Sequence, residues 1–423
     1  MGVGAVLFIS LVGLIILQVP VGIAVGAASF LAALYGGLSD VFVVQALVQG
    51  VDTFPIMAIP LFIFAGELMG AGGVSKRMLN VAKLFVGRVS GGLGIVTVIV
   101  GMFFATVSGS GPATVAAVGS MVVPTMIENG YSKSFTLSLI ATTGAIGVII
   151  PPSIPMVIFG VTTGVSISDM FLGGILPGII VGVLLMIYCY MYGRKHSLRS
   201  QVKTTTTKEK FKTVWDAKWA LLNPVIVLGG IYGGIFTPTE AAAVGVAYAF
   251  ICGVFIYKEL NRVAVVDVIK NSCLTIGAVM VIMGGATAFA RILMLEQIPA
   301  QIAGFMAGLT DNVFVMILLI NLFLLIVGLV MDTLPAIMIL APILLPIAVS
   351  VGINPVQFGI IMIVNKAVSF LTPPLGINLL VAARVGNTGL DTVIKGIAPF
   401  ILTMIIVLLI ISFFPWLSLV FIN

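Results

Sequence analysis

Residues 135–165 carry no charged side chain, yet Pro151 and Pro152 stand side by side near the middle of the stretch. No other feature constrains the chain as much. The run exceeds the about 20 residues with which a helix crosses a bilayer. In hydrocarbon only helices and closed barrels satisfy their own backbone groups. The sequence lacks the polar–apolar alternation of a barrel strand, so it reads as helix. Proline removes a backbone donor and clashes with the preceding turn. A span broken there frees carbonyls that need other partners.

Similar apolar runs recur along all 423 residues, which are 60% hydrophobic and 8% charged; soluble domains carry about 25% charge. The fold class is an all-α polytopic membrane protein. No Lys or Arg precedes the first apolar run, so residues 1–37 are expected to form a retained first helix, tilted or bent at Pro20, and not a cleaved leader. Cys189, Cys252 and Cys273 have no metal or disulfide spacing, and His196 lies in a basic loop. There is no phosphate-binding GxxxxGK[ST] and no nucleophile or zinc pattern. The chain reads as a non-enzyme with neither nucleotide nor redox cofactor.

Residues 194–218 hold eight of the 20 Lys and Arg, which makes this loop cytoplasmic by the positive-inside rule and not a nucleic-acid patch. Walking outward from it gives a hairpin at 91–128, a broken helix at 134–165, a second hairpin at 313–350 and a second broken helix at 356–383. The C-terminus falls on the far side. Only Arg291 and Lys366 among the bases are then non-cytoplasmic, and Asp169, Glu240 and Asp311 are external. The chain divides into scaffold helices and a basic connector (1–90), a first repeat (91–192), a loop with central scaffold helices (193–270) and a second repeat (271–423).

A spacing of 222 residues relates Pro124 to Pro346, Gly130 to Gly352, Pro151-Pro152 to Pro373-Pro374, Asp169 to Asp391 and Pro177 to Pro399. The topology makes this repeat inverted, with the first hairpin entering from the cytoplasm and the second from outside. Broken helices in inverted repeats meet at the midplane of secondary transporters. Their freed carbonyls suit a cation, and their helix N-termini suit an anion.

"SGSGPATVAAVGSMVVPTM", "GVIIPPSIPMVIFG", "GGIFTPTEAAAVGVAYA", "VGLVMDTLPAIMILAPILLPI" and "LTPPLGINLLVAA" together resemble the large membrane (M) subunit of the tripartite ATP-independent periplasmic (TRAP) transporters, of the ion transporter superfamily. The resemblance spans essentially the whole chain; Pro112 departs from it where another small residue is expected. It implies a Na⁺-driven importer of organic acids, of the sialic acid or C4-dicarboxylate type, in the bacterial inner membrane. It implies an elevator mechanism, a periplasmic substrate-binding protein (P) on the external face, and a small four-helix membrane subunit (Q). The chain begins directly with M-like sequence, so Q is expected as a separate polypeptide.

Two Na⁺ are expected, one per hairpin tip. The first falls to Ser108 and Gly109 with the carbonyls of Gly147 and Pro151. The second falls to Gly328, Asp332 and Thr333 with Thr372 and Pro373. Ser108, Ser110, Ser153, Asp332 and Thr333 are the candidates for the substrate; Asp332 also suits an N-cap. Lys366 is expected to pair with Asp332 or a carbonyl cluster, or else to attract the substrate, Glu67 and Arg291 to be scaffold or interface charges, and Glu240 to cap a helix with Thr237 or Thr239. The rival readings are a binding-protein-independent Na⁺/dicarboxylate carrier of related architecture and, more remotely, an ion channel.

Overall fold

The computed structural model describes residues 2–86, 89–198, 207–307, 312–373 and 376–422. Asp311, Pro374 and residues 199–206 of the basic loop lie outside the described residues. The chain is helical, and among the described residues six helices are long and apolar enough to cross a membrane.

The first apolar run corrects the expectation of one bent helix. It forms α1 (Val3–Ile16) and α2 (Val21–Tyr35). Gln18 takes φ +63° and Pro20 cannot extend a hydrogen-bonded helix, so the chain reverses. A Cβ on Gly36 would meet the Val3 side chain at 2.9 Å, which sets the end of α2 beside the start of α1. At 1.5 Å per residue each helix is about 21–23 Å long, short of the about 30 Å hydrocarbon core.

Next come α3 (Asp40–Gln49), α4 (Ala58–Ala71) and α5 (Val74–Val86). The basic connector lies on α5, which buries Met78, Leu79 and Ala82 and leaves Lys76 exposed. Arg77 of α5 pairs with Glu259 at 2.7 Å, a partly exposed contact worth at most about 1 kcal/mol.

The helices α6 (Gly92–Ser108) and α7 (Gly111–Glu128) pack together as a hairpin. They lead to α8 (Lys133–Ile146), an interruption, α9 (Ile154–Thr163) and the long α10 (Ile167–Lys195). Then follow α11 (Thr207–Tyr232) and α12 (Pro238–Ile251). Thr237 and Glu240 start α12 with a capping box, two orphan donors satisfied reciprocally. A 34-residue α13 (Arg262–Leu295) and a short α14 (Ile298–Ala307) complete the middle of the chain. The final set is α15 (Val313–Gly328), α16 (Thr333–Ser350), α17 (Pro355–Ser369), α18 (Ile377–Val385) and α19 (Leu390–Phe413). Shifted by 222 residues, α7 falls on 333–350, the bounds of α16, and α8 falls on 355–368 against 355–369 for α17.

The centre is built from α8 and α17. All residues from Phe135 to Ile146 and from Val356 to Ser369 are buried. Each packs across the halves, α8 on α18 and α19, and α17 on α9 and α10. Lipid supplies little hydrophobic drive between helices, so close backbone approach and interhelical hydrogen bonds hold them. A Cβ on Gly396 of α19 would lie 2.7 Å from the Oγ atoms of Ser134 and Ser138, and Ser138 donates to Val393 O at 2.8 Å.

Candidate functional site

The first hairpin turns at Gly109, whose φ of +56° is the left-handed conformation glycine adopts without strain. Ser110 follows in extended conformation, and α7 starts at Gly111 with Pro112 in its first turn. The turn is tied inward. Ser108 Oγ and Thr114 Oγ1 are 2.9 Å apart, and Thr114 donates to Ser110 O at 2.8 Å. Ile154 N, at the head of α9, donates to Gly109 O at 3.3 Å. The tip therefore rests on the Pro151-Pro152 interruption. Ser153 is fully buried and donates to Val148 O at 2.6 Å, so its hydroxyl bridges the break.

Behind the tip, oxygens converge on a space that only glycines leave open. A Cβ on Gly147 would lie 2.8 Å from Thr114 Oγ1, 2.9 Å from Gly144 O and 3.0 Å from Ser110 O. One on Gly111 would lie 3.1 Å from Asn378 Oδ1 and 3.2 Å from Gly144 O. Asn378, at the start of α18, is fully buried; its Nδ2 donates to Ala141 O at 3.0 Å. Its Oδ1 is buried with no hydrogen-bond partner. An unpaired buried acceptor facing carbonyls is unfavourable unless a cation joins them. This oxygen cradle fits a hard monovalent ion.

The second hairpin turns through Leu329–Met331, and Asp332 caps α16 with Oδ1 accepting from Thr333 N at 2.6 Å. Thr333 Oγ1 is buried without a partner. The Gly328 backbone packs against the Ser369 side chain. Thr372 donates its hydroxyl to Val368 O at 2.9 Å, and Pro373 is half-buried just beyond it. Lys366 is fully buried, and its Nζ donates to Leu324 O at 2.6 Å. It thus meets a carbonyl; Arg77–Glu259 is the one ion pair among the described residues.

The two tips share a cavity of ≈ 120 Å³ lined by Gly109, Ser110, Pro112 and Asp332, with Ile63 of α4 and Thr275 of α13 on the facing wall. A cavity of ≈ 340 Å³ borders Ser108 and Ser110 and is walled by Glu67 of α4. Another, of ≈ 230 Å³, lies beside Arg291 of α13 and Met338 of α16. Arg291 is hydrogen-bonded to Gln49 of α3.

The family model described as the tripartite ATP-independent periplasmic transporter, DctM component, matches residues 8–417. The chain belongs to this family. It is 46% identical over 402 residues to the isethionate TRAP transporter permease protein DctMQ of Oleidesulfovibrio alaskensis, covering 95% of this chain but only 63% of that relative's length. It is 39% identical to the C4-dicarboxylate TRAP transporter large permease protein DctM of Vibrio cholerae, over 98% of this chain and 96% of the relative. It is 36% identical to the sialic acid TRAP transporter large permease protein SiaM of the same organism, over 95% and 94%. The solved YdaH transporter of Alcanivorax borkumensis superposes with a TM-score of 0.61 at 17% identity, covering 88% of this chain and 87% of that one; that likeness is of fold alone.

In this TRAP permease, the structure brings Ser108, Gly109, Ser110 and Gly147 together at one tip and Gly328, Asp332 and Thr333 at the other. Sequence reasoning missed Asn378 and Thr114. Thr114 had a signal, since it lies four residues after Ser110 and so on the same helical face. Asn378 had only its polarity within an apolar run. Glu67, read as a scaffold charge, lines the cavity beside the first tip.

Proposed function

We propose that this permease is the membrane subunit of a Na⁺-coupled secondary importer of small organic anions, of the sialic acid or C4-dicarboxylate type, in the bacterial inner membrane. The substrate arrives from a periplasmic binding protein, and a small four-helix membrane subunit packs beside this chain. The observation that carries the coupling is the cradle of Ser110 O, Gly111 O, Gly144 O, Thr114 Oγ1 and the unpartnered Asn378 Oδ1. Na⁺ bound there would supply positive charge next to the inter-tip cavity. A second ion goes to the Asp332 carboxylate with Thr333 Oγ1 and Ser369 Oγ. The anion lies between the tips, held by Ser110 and by the N-terminal ends of α7 and α16, whose free N–H groups favour negative charge.

The helix bounds that recur at 222 residues, joined to the charge distribution, support an inverted repeat with the 194–218 loop in the cytoplasm and the C-terminus in the periplasm. The tips and broken helices then move as one body against α4 and α13, an elevator. The three relatives are named for isethionate, C4-dicarboxylates and sialic acid, which supports a small organic anion as the cargo.

The test is reconstitution with the membrane partner in liposomes and the loaded binding protein outside. Uptake should require Na⁺ and ignore ATP. Uptake at the full rate in Na⁺-free buffer would overturn the coupling.

A further inference from the structure

Arg291 and Lys366 are the two bases that the proposed orientation leaves off the cytoplasmic side. Lys366 is buried on the Leu324 carbonyl. Arg291 is half-buried, lines a cavity and has no carboxylate partner among the described residues. A charged side chain within a membrane domain is costly unless it pairs or lines a polar path. Arg291 stands near the end of α13, where that helix packs on α3. A Cβ on Gly50, just past α3, would collide with the Thr287 side chain of α13, so the two helices touch there and Gln49 lies beside Arg291. Gln49 Oε1 accepts from Arg291 Nη2. That bond holds one edge of the guanidinium. The other guanidinium N–H groups and the Gln49 amide nitrogen are left as donors, and the planar fork of an arginine matches an oxyanion.

The cavity, ≈ 230 Å³, lies between two sets of helices. Gln49, Thr287 and Arg291 stand on the α3 and α13 side. Val161 and Thr162 of α9, with Met338 and Pro342 of α16, form the opposite wall, on the body that carries the tips. Its level follows from the helix rise of about 1.5 Å per residue. Ile154, Thr275 and Asp332 all line the inter-tip cavity. Thr162 is eight residues beyond Ile154, Met283 eight beyond Thr275, and Met338 six beyond Asp332. Three separate helices therefore place the near edge of the Arg291 cavity about 9–12 Å from the tips, on the external side in the proposed orientation. The Glu67 cavity lies the other way. It shares Ser110, Ile154 and Thr275 with the inter-tip cavity and no residue with the Arg291 cavity. The scaffold thus carries a base beyond the tips on the outer side and an acid on the inner side.

We propose that Arg291, with the Gln49 amide, is an outer anion subsite. It takes the carboxylate or sulfonate of the cargo as the binding protein releases it, and holds it until the tips, carried outward with their body by about 9–12 Å, receive it. The wall facing Arg291 is apolar apart from Thr162, whose hydroxyl is engaged with Ile158 O. The arriving anion supplies the counter-charge that the protein does not. The inference rests on the anion-importer and elevator reading above.

The test is uptake by the permease reconstituted with its membrane partner, over a range of concentrations of binding protein loaded with radiolabelled isethionate, succinate or sialic acid. Arg291→Gln should raise the KM for loaded binding protein by about tenfold or more, the loss of a charged hydrogen bond, with kcat close to wild type. Arg291→Lys keeps the charge and loses the fork, so it should recover part of the effect. Affinity of the permease for substrate-free binding protein should not change. A folded Arg291→Gln with wild-type KM would overturn the proposal. An equal loss of affinity for substrate-free binding protein would also overturn it, making Arg291 a protein-docking contact. If Arg291→Gln does not fold, Gln49→Leu decides. It keeps the guanidinium but releases it, and KM should rise about threefold; an unchanged KM would overturn the subsite. Wild-type uptake without Na⁺ would count against the coupling and leave the KM comparison intact. Wild-type uptake of none of the three anions would remove the anion reading and the subsite with it.

Discussion

Asp332 combines two demands in one side chain. It caps α16 through Thr333 N, and it lines the cavity between the tips. Losing an N-cap costs about 0.5–2 kcal/mol, while a carboxylate at membrane depth costs about 2.5–3.5 kcal/mol to insert. These terms oppose each other. Asp332→Ala should therefore abolish uptake with little change in thermal stability; a folded variant with normal uptake would reduce Asp332 to a cap. Glu67 is a different case. It faces the first tip from the scaffold, and on the proposed orientation it lies toward the cytoplasm. A carboxylate there repels an anion leaving the site. Glu67→Gln should ease release, read as a rise in kcat with a smaller change in KM; unchanged kcat would return Glu67 to a packing role. Asp332 and Thr333 could be singled out in the sequence because a charge in an apolar run stands alone. Asn378 could not, because its meaning depends on Ala141, 237 residues away.

The hairpins and interrupted helices were readable because proline and glycine force their ends. Pro151-Pro152 interrupts between α8 and α9, and Gly109 turns the first hairpin. The folding back of α1 on α2 and the existence of α14 were not readable. The α1–α2 run is almost uniformly apolar and has no period from which to tell one long helix from two short ones, and the ten residues of α14 are too few to show one. The interruption leads to a prediction about glycine. A Cβ on Gly144 would meet the Val115 side chain and come within 2.8 Å of Gly111 O, filling the cradle from inside the helix. Gly144→Ala should lower apparent Na⁺ affinity by about tenfold or more, roughly 1.4 kcal/mol, in a Na⁺ titration of uptake. Replacing Pro151-Pro152 by Ala-Ala should let α8 continue, turn its freed carbonyls into helical bonds and abolish transport. Wild-type uptake in that variant would make the interruption a packing feature.

The orientation has its own check. With the bases inside, Asp169 at the head of α10 faces the periplasm, and crosslinkers placed near it should capture the binding protein. Capture only from the 194–218 loop would reverse the topology. The two halves of the chain meet at the first cradle. Ser110, Gly111, Thr114 and Gly144 come from one half, while Asn378 comes from the other and is anchored back on α8 through Ala141. A cation held there ties the two broken helices together, so occupancy is coupled to their relative position. Asn378→Leu keeps the volume, removes the one side-chain oxygen from the second half and gives up a single hydrogen bond worth about 1 kcal/mol. The decisive measurement is the Na⁺ dependence of uptake by reconstituted wild type and Asn378→Leu. Wild type should respond cooperatively with a Hill coefficient of about 2, bounded by the number of sites. Asn378→Leu should remain folded and either lose that cooperativity or stop transporting. A folded Asn378→Leu with wild-type Na⁺ affinity and cooperativity would contradict the cradle as the coupling site.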